Sequence, residues 1–468
     1  MARIEGLSVG GLRGFASDSE FRFAQPNGDP GSGLTIILGS NNSGKSTLVE
    51  ALKSLSSGRT PTFSDMKRNK SYGDHVDIRA TFAGGLSRGV KSIGPGSSQT
   101  EPYDETLAAN QLDMMVVPSR RGFAPRFSRY DGMTKDIYRQ NLTHNSQRAQ
   151  SMDSAFAGRL FEIESNPKNR SRFDSLLGQI VENLPRWTID LGEDEQYFIK
   201  FTLSASIGSH TSDGVGEGIV SLFSIIDALY NADEESIVVI DEPELSLHPQ
   251  YQKRLRSVLS DVSANAQIIF TTHSPYFVDW DDLSRGAEIV RVHKSADGST
   301  SVVSQPDRSI VNEISALRVS AANPHILGLT AREVFFLEDG VILTEGQEDV
   351  VYFEKISKSV GRNMNGVFYG FGSGGAGNII KLMRLLRSLG YEKVVAIYDG
   401  DKAEDAAKAK LEFPSFRVEI IPAEDIRTKP ATAARDEKPG LWTKSGLDPA
   451  HRDATIELYE SVNAYLAT

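Results

Sequence analysis

The stretch "GSNNSGKST" (Gly39–Thr47) constrains this chain more than any other. Gly39 to Ser46 fits G-x-x-x-x-G-K-S, follows the apolar run "LTIIL" and opens the helix-forming run "TLVEALKSLSS". A strand, a glycine-rich turn and a helix in that order surround an anion with backbone N–H groups and a helix N-terminus. Gly39 and Gly44 permit the tight turn and close approach. Lys45 is expected to place a point charge on the β- and γ-phosphates of ATP, and the Ser46 hydroxyl to ligate Mg²⁺. Asn41, Asn42 and Thr47 fill out the expected nucleotide cradle.

A second piece, "IVVIDEPELSLHP", brings Asp241 to the carboxyl end of a buried strand, where ligands bind in open α/β sheets. Asp241 is expected to hold the Mg²⁺ shell, and Glu242 to polarise the attacking water. "TTHSP" follows about 30 residues later on the next expected strand, placing His273 near the γ-phosphate and that water.

A length of 468 residues suits two or three domains. With 39% hydrophobic and 24% charged residues, sizeable packed cores are expected rather than disorder. The absence of cysteine excludes disulfides and thiolate-bound zinc and agrees with a reducing cytoplasm. No apolar run reaches membrane-spanning length, and the N-terminus has no signal-peptide pattern, so the expectation is a soluble cytoplasmic protein with no membrane partner. The net charge of -11 leaves room for a local basic groove on an acidic body.

Buried strands alternate with helices through "SIVVID", "PQYQKRLRSVLSDV" and "QIIFTTH", which indicates a parallel α/β sheet. Residues 130–184 read as a mainly helical insertion, and "VKSIGPGSSQTEP" as a flexible stretch. A second α/β series starts near Ala331, dividing the chain into 1–330 and 331–468.

That second series carries its own acidic residues. "VILTEGQEDVVYFEKI" ends a strand in Glu345, and Asp349 shares its side if the helix starts at once. "KVVAIYDGDK" ends a later strand in Asp399 and Asp401. Neighbouring parallel strand ends would gather these carboxylates, which repel one another unless cations occupy them. Oxygen-only ligands favour Mg²⁺ or Mn²⁺, and such sites position phosphodiesters and activate water. Glu404 and Asp405 read as solvated helix surface. Glu424, Asp425 and Lys429 in "IIPAEDIRTKP" stand between a site role and a solvated turn.

"LRGF", "DEPELSLHP" and "TTHSP" resemble the ATPase domains of ABC-type proteins, in the Rad50/SMC-like branch rather than the transporters. The resemblance implies a signature loop that closes over the ATP of a second subunit. "SDGVGEG" matches it at Ser212 and Gly214, although it departs from the usual LSGGQ spelling, and no glutamine is assigned to a Q-loop. A homodimer or higher homo-oligomer through the ATPase domain is implied. The E-G turn at Glu345 and the D-x-D at Asp399 and Asp401 are similar to the Toprim fold of topoisomerases, primases and OLD-family nucleases. ATPase followed by Toprim, joined by "RVSAANPHILGLTAREVFFLEDGVILTEG", resembles the OLD (overcoming lysogenization defect) family across nearly the whole chain. That implies a metal-dependent DNA endonuclease with ATP as regulator or energy source, in bacterial defence against phage. Being short for the family, the chain is also expected to show reduced cleavage or to depend on a partner.

Arginines and aromatics interleave in "SRRGFAPRFSRY" (Arg120, Arg121, Arg126, Arg129), and "NPKNRSRF" adds Lys168, Arg170 and Arg172. Such clusters suit phosphate contact and base stacking, and equally suit salt bridges on an acidic chain. The rival readings are a non-cutting ATPase sensor whose Toprim segment is a scaffold, and a Rad50-like DNA-repair ATPase. The second is opposed by the lack of long heptads, and a transporter ATPase leaves the second acidic set unexplained.

Overall fold

Five consecutive apolar or β-branched residues make Leu34–Leu38 a strand buried along its whole length, as expected for the middle of a parallel sheet covered on both faces. In the computed structural model this strand sits inside a six-stranded sheet. The order is Ser301–Ser304, Glu288–Lys294, Leu34–Leu38, Gln267–Thr272, Ile237–Asp241, Met114–Val117. The structure describes residues 3–56, 60–107, 112–121, 156, 159–182, 186–193, 195–204, 208–211, 216–230, 232–234, 236–317, 332, 335–337, 340–431 and 437–467. Two compact units divide it, Met1–Val303 and Ser304–Thr468.

In the first unit, every pairing from Glu288–Lys294 to Met114–Val117 is parallel. The register sets Thr272 beside Leu38 and Asp241 beside Thr271. The loop after Leu38, Asp241 and His273 therefore leave the sheet at one edge. Helix Lys45–Ser56 buries Leu48, Leu52 and Leu55 in a core shared with Ile37, Val239, Ile78 and Val90. The last two belong to an antiparallel sheet in the order Ser19–Arg22, Ile4–Gly10, Asp77–Phe82, Leu86–Ser92, Thr100–Tyr103.

That sheet corrects the reading of "VKSIGPGSSQTEP" as flexible. Val90, Lys91 and Ser92 pair with Pro102, Glu101 and Thr100, so only 93–99 form the connecting turn. The Gly and Pro of the turn hid a hairpin whose arms are too polar to show an apolar alternation.

Of the expected helical insertion, Pro167–Ile180 is a helix whose N-cap, Asn166, accepts from the N–H groups of Lys168 and Asn169. Residues 122–155 lie outside the described set. Phe173 meets Trp187 and Phe223 edge to face, and Trp187 meets Phe223 likewise, fastening this segment to helix Glu217–Leu229. Arg159 pairs with Asp227 of that helix at 3.1 Å, with both side chains at most 1% exposed.

The second unit is a four-stranded parallel sheet in the order Val367–Phe368, Val341–Leu343, Val394–Tyr398, Arg417–Ile420. Helices Gln347–Val360, Ala376–Ser388 and Ala403–Glu412 connect its strands, and Arg452–Ala467 closes the described chain. Helix Arg308–Ala316 packs on Ala376–Ser388, with Arg384 Nη1 3.3 Å from Glu313. The division thus falls at 303/304, where the sequence drew it at 330. Among the described residues no helix is long and apolar enough to cross a membrane.

Removing one member of a buried ion pair leaves the other charge unpaired, at a cost of roughly 3–5 kcal/mol. Asp227→Ala leaves Arg159 with Glu162, which is partly exposed, so it should lower the urea midpoint of the first unit by less than that full cost, and Arg159→Met/Asp227→Leu should recover most of the loss. Equal midpoints for wild type and Asp227→Ala would remove the pair from the determinants of stability.

Candidate nucleotide and metal sites

The strand Leu34–Leu38 delivers Gly39 at φ +153°, where an added Cβ would lie 2.1 Å from the Val292 carbonyl oxygen. Gly44, at φ +121°, turns the chain into helix Lys45–Ser56. Both glycines are thus required by backbone conformation and by space. Lys45 is buried; its Nζ donates to Gly39 O (3.0 Å), Ser40 O (3.1 Å) and His273 Nε2 (2.7 Å). Burial lowers its pKa against the pull of Glu242 and Asp241. Asn41 and Asn42 are exposed on the loop, Asn42 at φ +61°, and Ser46 is exposed in the first turn of the helix, while Thr47 is buried.

The Asp241 carboxylate accepts from Thr271 Oγ1 at 2.6 Å and lies 3.5 Å from Ser46 Oγ. The two groups expected to share Mg²⁺ thus face each other. Glu242 stands at φ +49°, a left-handed conformation that costs a non-glycine residue roughly 1 kcal/mol or more. Its N–H donates to Thr271 Oγ1, and its Oε1 lies 3.3 Å from His273 Nε2. Burial and the Lys45 ammonium lower the His273 pKa, so the ring is neutral and accepts from Lys45. Glu244 accepts from the His273 N–H at 2.5 Å, and burial raises its pKa. Ser212 and Gly214 lie outside the described residues. Gly218, in the helix that follows, is held against the loop after Asp241: a Cβ there would sit 2.5 Å from Ser246 O.

The sequence reading missed the role of Arg121. Grouped there with basic residues for nucleic acid, it instead faces inward. Its Nη1 donates to Asp241 O (2.7 Å) and Pro118 O (3.0 Å), its Nη2 to Glu242 O (2.7 Å), and its Nε to Ser221 Oγ (2.8 Å). Burial pulls its pKa down to about 10, which leaves it charged at neutral pH. Arg170 is also engaged, 3.6 Å over the Trp187 ring and 2.7 Å from Asp174. Lys168, Arg172 and Arg120 remain exposed, and Arg126 and Arg129 lie outside the described residues.

In the second unit, Val341–Leu343 and Val394–Tyr398 are adjacent and parallel, with Leu343 opposite Ala396. Their ends bring Glu345 to Asp399, whose backbone N–H donates to Glu345 Oε1 at 3.0 Å. Helix Gln347–Val360 starts at once, and Asp349 accepts from the Gly346 N–H at 2.7 Å. Burial, then Asp349, Glu345 and Asp425, push the Asp399 pKa up to about 8. Burial, with Glu345 and Asp425, pushes Asp349 up to about 7, and burial raises Glu345 as well.

Asp401 and Asp425 differ. Burial works upward on each, yet lysines bring both below the usual carboxylate range. Lys438 Nζ donates to Asp401 (2.8 Å) and Asp425 (2.9 Å), and Lys429 Nζ to Asp425 (2.6 Å). Asp425 is therefore a buried, doubly paired anion rather than a solvated turn, whereas Glu424 and Glu404 are exposed. Asp405 is half-buried, with Lys408 at 3.5 Å.

A second omission from the sequence reading is "FGSGGAG" (371–377). Gly372, at φ +91°, approaches so closely that a Cβ would lie 2.5 Å from the Gly346 backbone. The N–H groups of Ser373 and Gly375 donate to Thr344 O and Glu345 O, both at 2.8 Å. This loop clamps the Glu345 turn, a role signalled by five glycines in eight residues from Gly370.

Among the described residues no group of three or more His, Asp or Glu side chains is spaced to enclose a metal ion. The donor chemistry nonetheless fits a hard divalent cation. Glu345, Asp349 and Asp399 present oxygen only, and burial together with repulsion from neighbouring carboxylates opposes their ionisation without one.

Three family descriptions match the chain. "AAA domain" covers residues 7–99, and "AAA domain, putative AbiEii toxin, Type IV TA system" covers 126–279. "Overcoming lysogenization defect protein-like, TOPRIM domain" covers 336–401. Septu protein PtuA of Bacillus thuringiensis is 24% identical over 282 residues, 53% of this chain and 67% of that protein. The OLD nuclease of Thermus scotoductus is 32% identical over 149 residues, 30% of this chain and only 26% of the nuclease. A solved Smc head domain with an extended coiled coil, derived from Pyrococcus furiosus, overlaps 68% of this chain and all of its own at 11% identity. Its TM-score of 0.44 is too low to bear on the fold.

A carboxyl whose folded pKa is raised above its unfolded value of about 4 favours the fold fully only below that value. The contribution is lost as pH rises through the folded pKa, here about 7 for Asp349 and about 8 for Asp399. Asp399→Asn should therefore raise the unfolding temperature of the metal-free chain by roughly 2–4 °C at alkaline pH. The gain should shrink toward pH 6 and reverse when Mg²⁺ is added, because wild type gains more from the ion. Thermal scans in chelator and in Mg²⁺ read this; a gain independent of pH would contradict it.

Proposed function

The domain order fits a protein of the OLD (overcoming lysogenization defect) family, and from that premise we propose an ATP-hydrolysing, divalent-metal-dependent DNA endonuclease of antiviral defence. The observation that carries this reading is the Asp399 N–H on Glu345 Oε1, with Asp349 beside them. It gathers an acidic site on a sheet separate from the one that carries the phosphate loop. Glu345, Asp349, Asp399 and Asp401 would hold Mg²⁺ or Mn²⁺, which when bound polarises a phosphodiester and acidifies water. Asp399 is fixed by its backbone, Asp349 by the Gly346 N–H, and Lys438 keeps Asp401 ionised.

At the other site, Lys45, now bonded to Gly39 O and Ser40 O, would bind phosphate, Ser46 and Asp241 would hold Mg²⁺, and Glu242 would take the proton of the attacking water. His273, neutral and 3.3 Å from Glu242 Oε1, would orient that water. Ser212 and Gly214 of a second copy are proposed to complete the site, making the chain a homodimer or higher homo-oligomer that works in the cytoplasm.

The likeness to Septu protein PtuA over 53% of the chain favours a second reading. In it the ATPase unit senses and a defence-system partner protein acts, the acidic unit binding nucleic acid or that partner without cutting.

Plasmid DNA incubated with Mg²⁺ or Mn²⁺, with and without ATP, separates the two. Glu345→Ala and Asp399→Ala should abolish nicking and leave ATP hydrolysis intact; variants that still cut would refute the metal site. Glu242→Gln should retain ATP while turnover falls about 100-fold or more. Unchanged hydrolysis in that variant would remove Glu242 as the base.

A further inference from the structure

Glu242 is held in a backbone conformation it would not choose, and something must hold it there. An isolated residue at φ +49° relaxes toward the right-handed region, because its Cβ crowds its own carbonyl. The Thr271 hydroxyl takes the Glu242 N–H and so fixes one side of the residue. The Asp241 and Glu242 carbonyls on the other side point at one guanidinium, that of Arg121, at 2.7 Å each.

A planar guanidinium presents its donors in a rigid fork, so two carbonyls bound by neighbouring nitrogens have their relative direction fixed. Lysine offers one point of attachment and cannot reproduce this. The remaining Arg121 donors reach Pro118 O at the end of its own segment and Ser221 Oγ on helix Glu217–Leu229. Three chain segments thus meet at one side chain: the exit of strand Met114–Val117, the acidic loop, and the helix that follows the glycine-rich run. Arg121 touches neither the Lys45 ammonium nor the Glu242 carboxylate through any of these bonds.

We propose that Arg121 is a positioning residue for Glu242: it orients the Asp241–Glu242 backbone so that the Glu242 carboxylate stands at His273 and the phosphate loop. It sets the hydrolytic step and leaves nucleotide binding to Lys45 and the loop amides. This rests on the ATP-hydrolysis reading and deepens it. Because the same guanidinium holds Ser221, a movement of helix Glu217–Leu229 reaches Glu242 through two hydrogen bonds.

The test is steady-state ATP hydrolysis and binding of a fluorescent ATP analogue by the full chain with Mg²⁺, using Arg121→Lys and Arg121→Ala. Misplacing a reacting group by about 1 Å costs on the order of 100-fold in rate. The expected result is a kcat lower by about 10- to 100-fold in both variants, with KM and analogue affinity within about twofold of wild type. Free guanidinium at non-denaturing concentration should restore part of the turnover of Arg121→Ala and none to Glu242→Gln. If Arg121→Ala does not fold, Arg121→Lys still reports the split between kcat and KM. Unchanged kcat, or kcat and affinity falling together without rescue, would overturn the assignment. A wild-type chain that binds no ATP overturns the nucleotide reading itself, and shows before any Arg121 variant is made.

Discussion

The Asp399 N–H donates to Glu345 Oε1 across two neighbouring strand ends, and the acidic site of the second unit depends on that bond. It requires Val341–Leu343 and Val394–Tyr398 to be adjacent, parallel and in register, so that both strands stop at the same edge. It also requires the turn after Glu345 to be tight enough for Asp349 to lie in the first turn of the next helix. The glycine at 372 makes room for that turn, and two further N–H groups of its loop hold it. Burial raises the pKa of all three carboxylates there, Glu345, Asp349 and Asp399; Glu345 adds to the rise at Asp349, and both add to the rise at Asp399. Lysine contacts outweigh burial at Asp401 and Asp425, while at the other three the pull of the lysines is smaller than burial. The three carboxylates with raised pKa suit a cation, with Asp401 already ionised beside them.

The first unit solves a similar problem differently. Its parallel register aligns the phosphate loop, Asp241 and His273 at one sheet edge. There the positive groups come from the protein: Lys45 turned onto its own loop, and Arg121 behind the acidic loop. Burial lowers the pKa of both cations, so each is held by hydrogen bonds that compensate for lost solvation.

Much of this was legible in the sequence where local pattern and long-range geometry agree. "LTIIL", "SIVVID" and "KVVAIYD" are short apolar runs ending at the expected site residues, and parallel packing on both faces leaves such runs no other place. The hairpin arms 90–92 and 100–102 were not legible, because one polar face and a Gly-Pro turn erase the alternation. Arg121 was misjudged because its partners are backbone carbonyls 120 and 121 positions away, and no periodicity reports such a contact. Asp425 became intelligible only through Lys438, 13 residues on and brought back by the small sheet of Asp425–Arg427 and Gly440–Thr443. The signature-loop residues Ser212 and Gly214 stay as the sequence left them.

Ser46 and Asp241 need the phosphate oxygens of a bound nucleotide to complete a Mg²⁺ shell, whereas Glu345, Asp349 and Asp399 should hold a cation without one. Calorimetric titration of Mn²⁺ into the nucleotide-free chain measures this directly, with Lys45→Ala and Asp399→Ala as the paired variants. Binding should persist unchanged in Lys45→Ala and be lost in Asp399→Ala. Binding that survives Asp399→Ala, or that disappears with Lys45→Ala, would contradict a separate metal site at Glu345, Asp349 and Asp399.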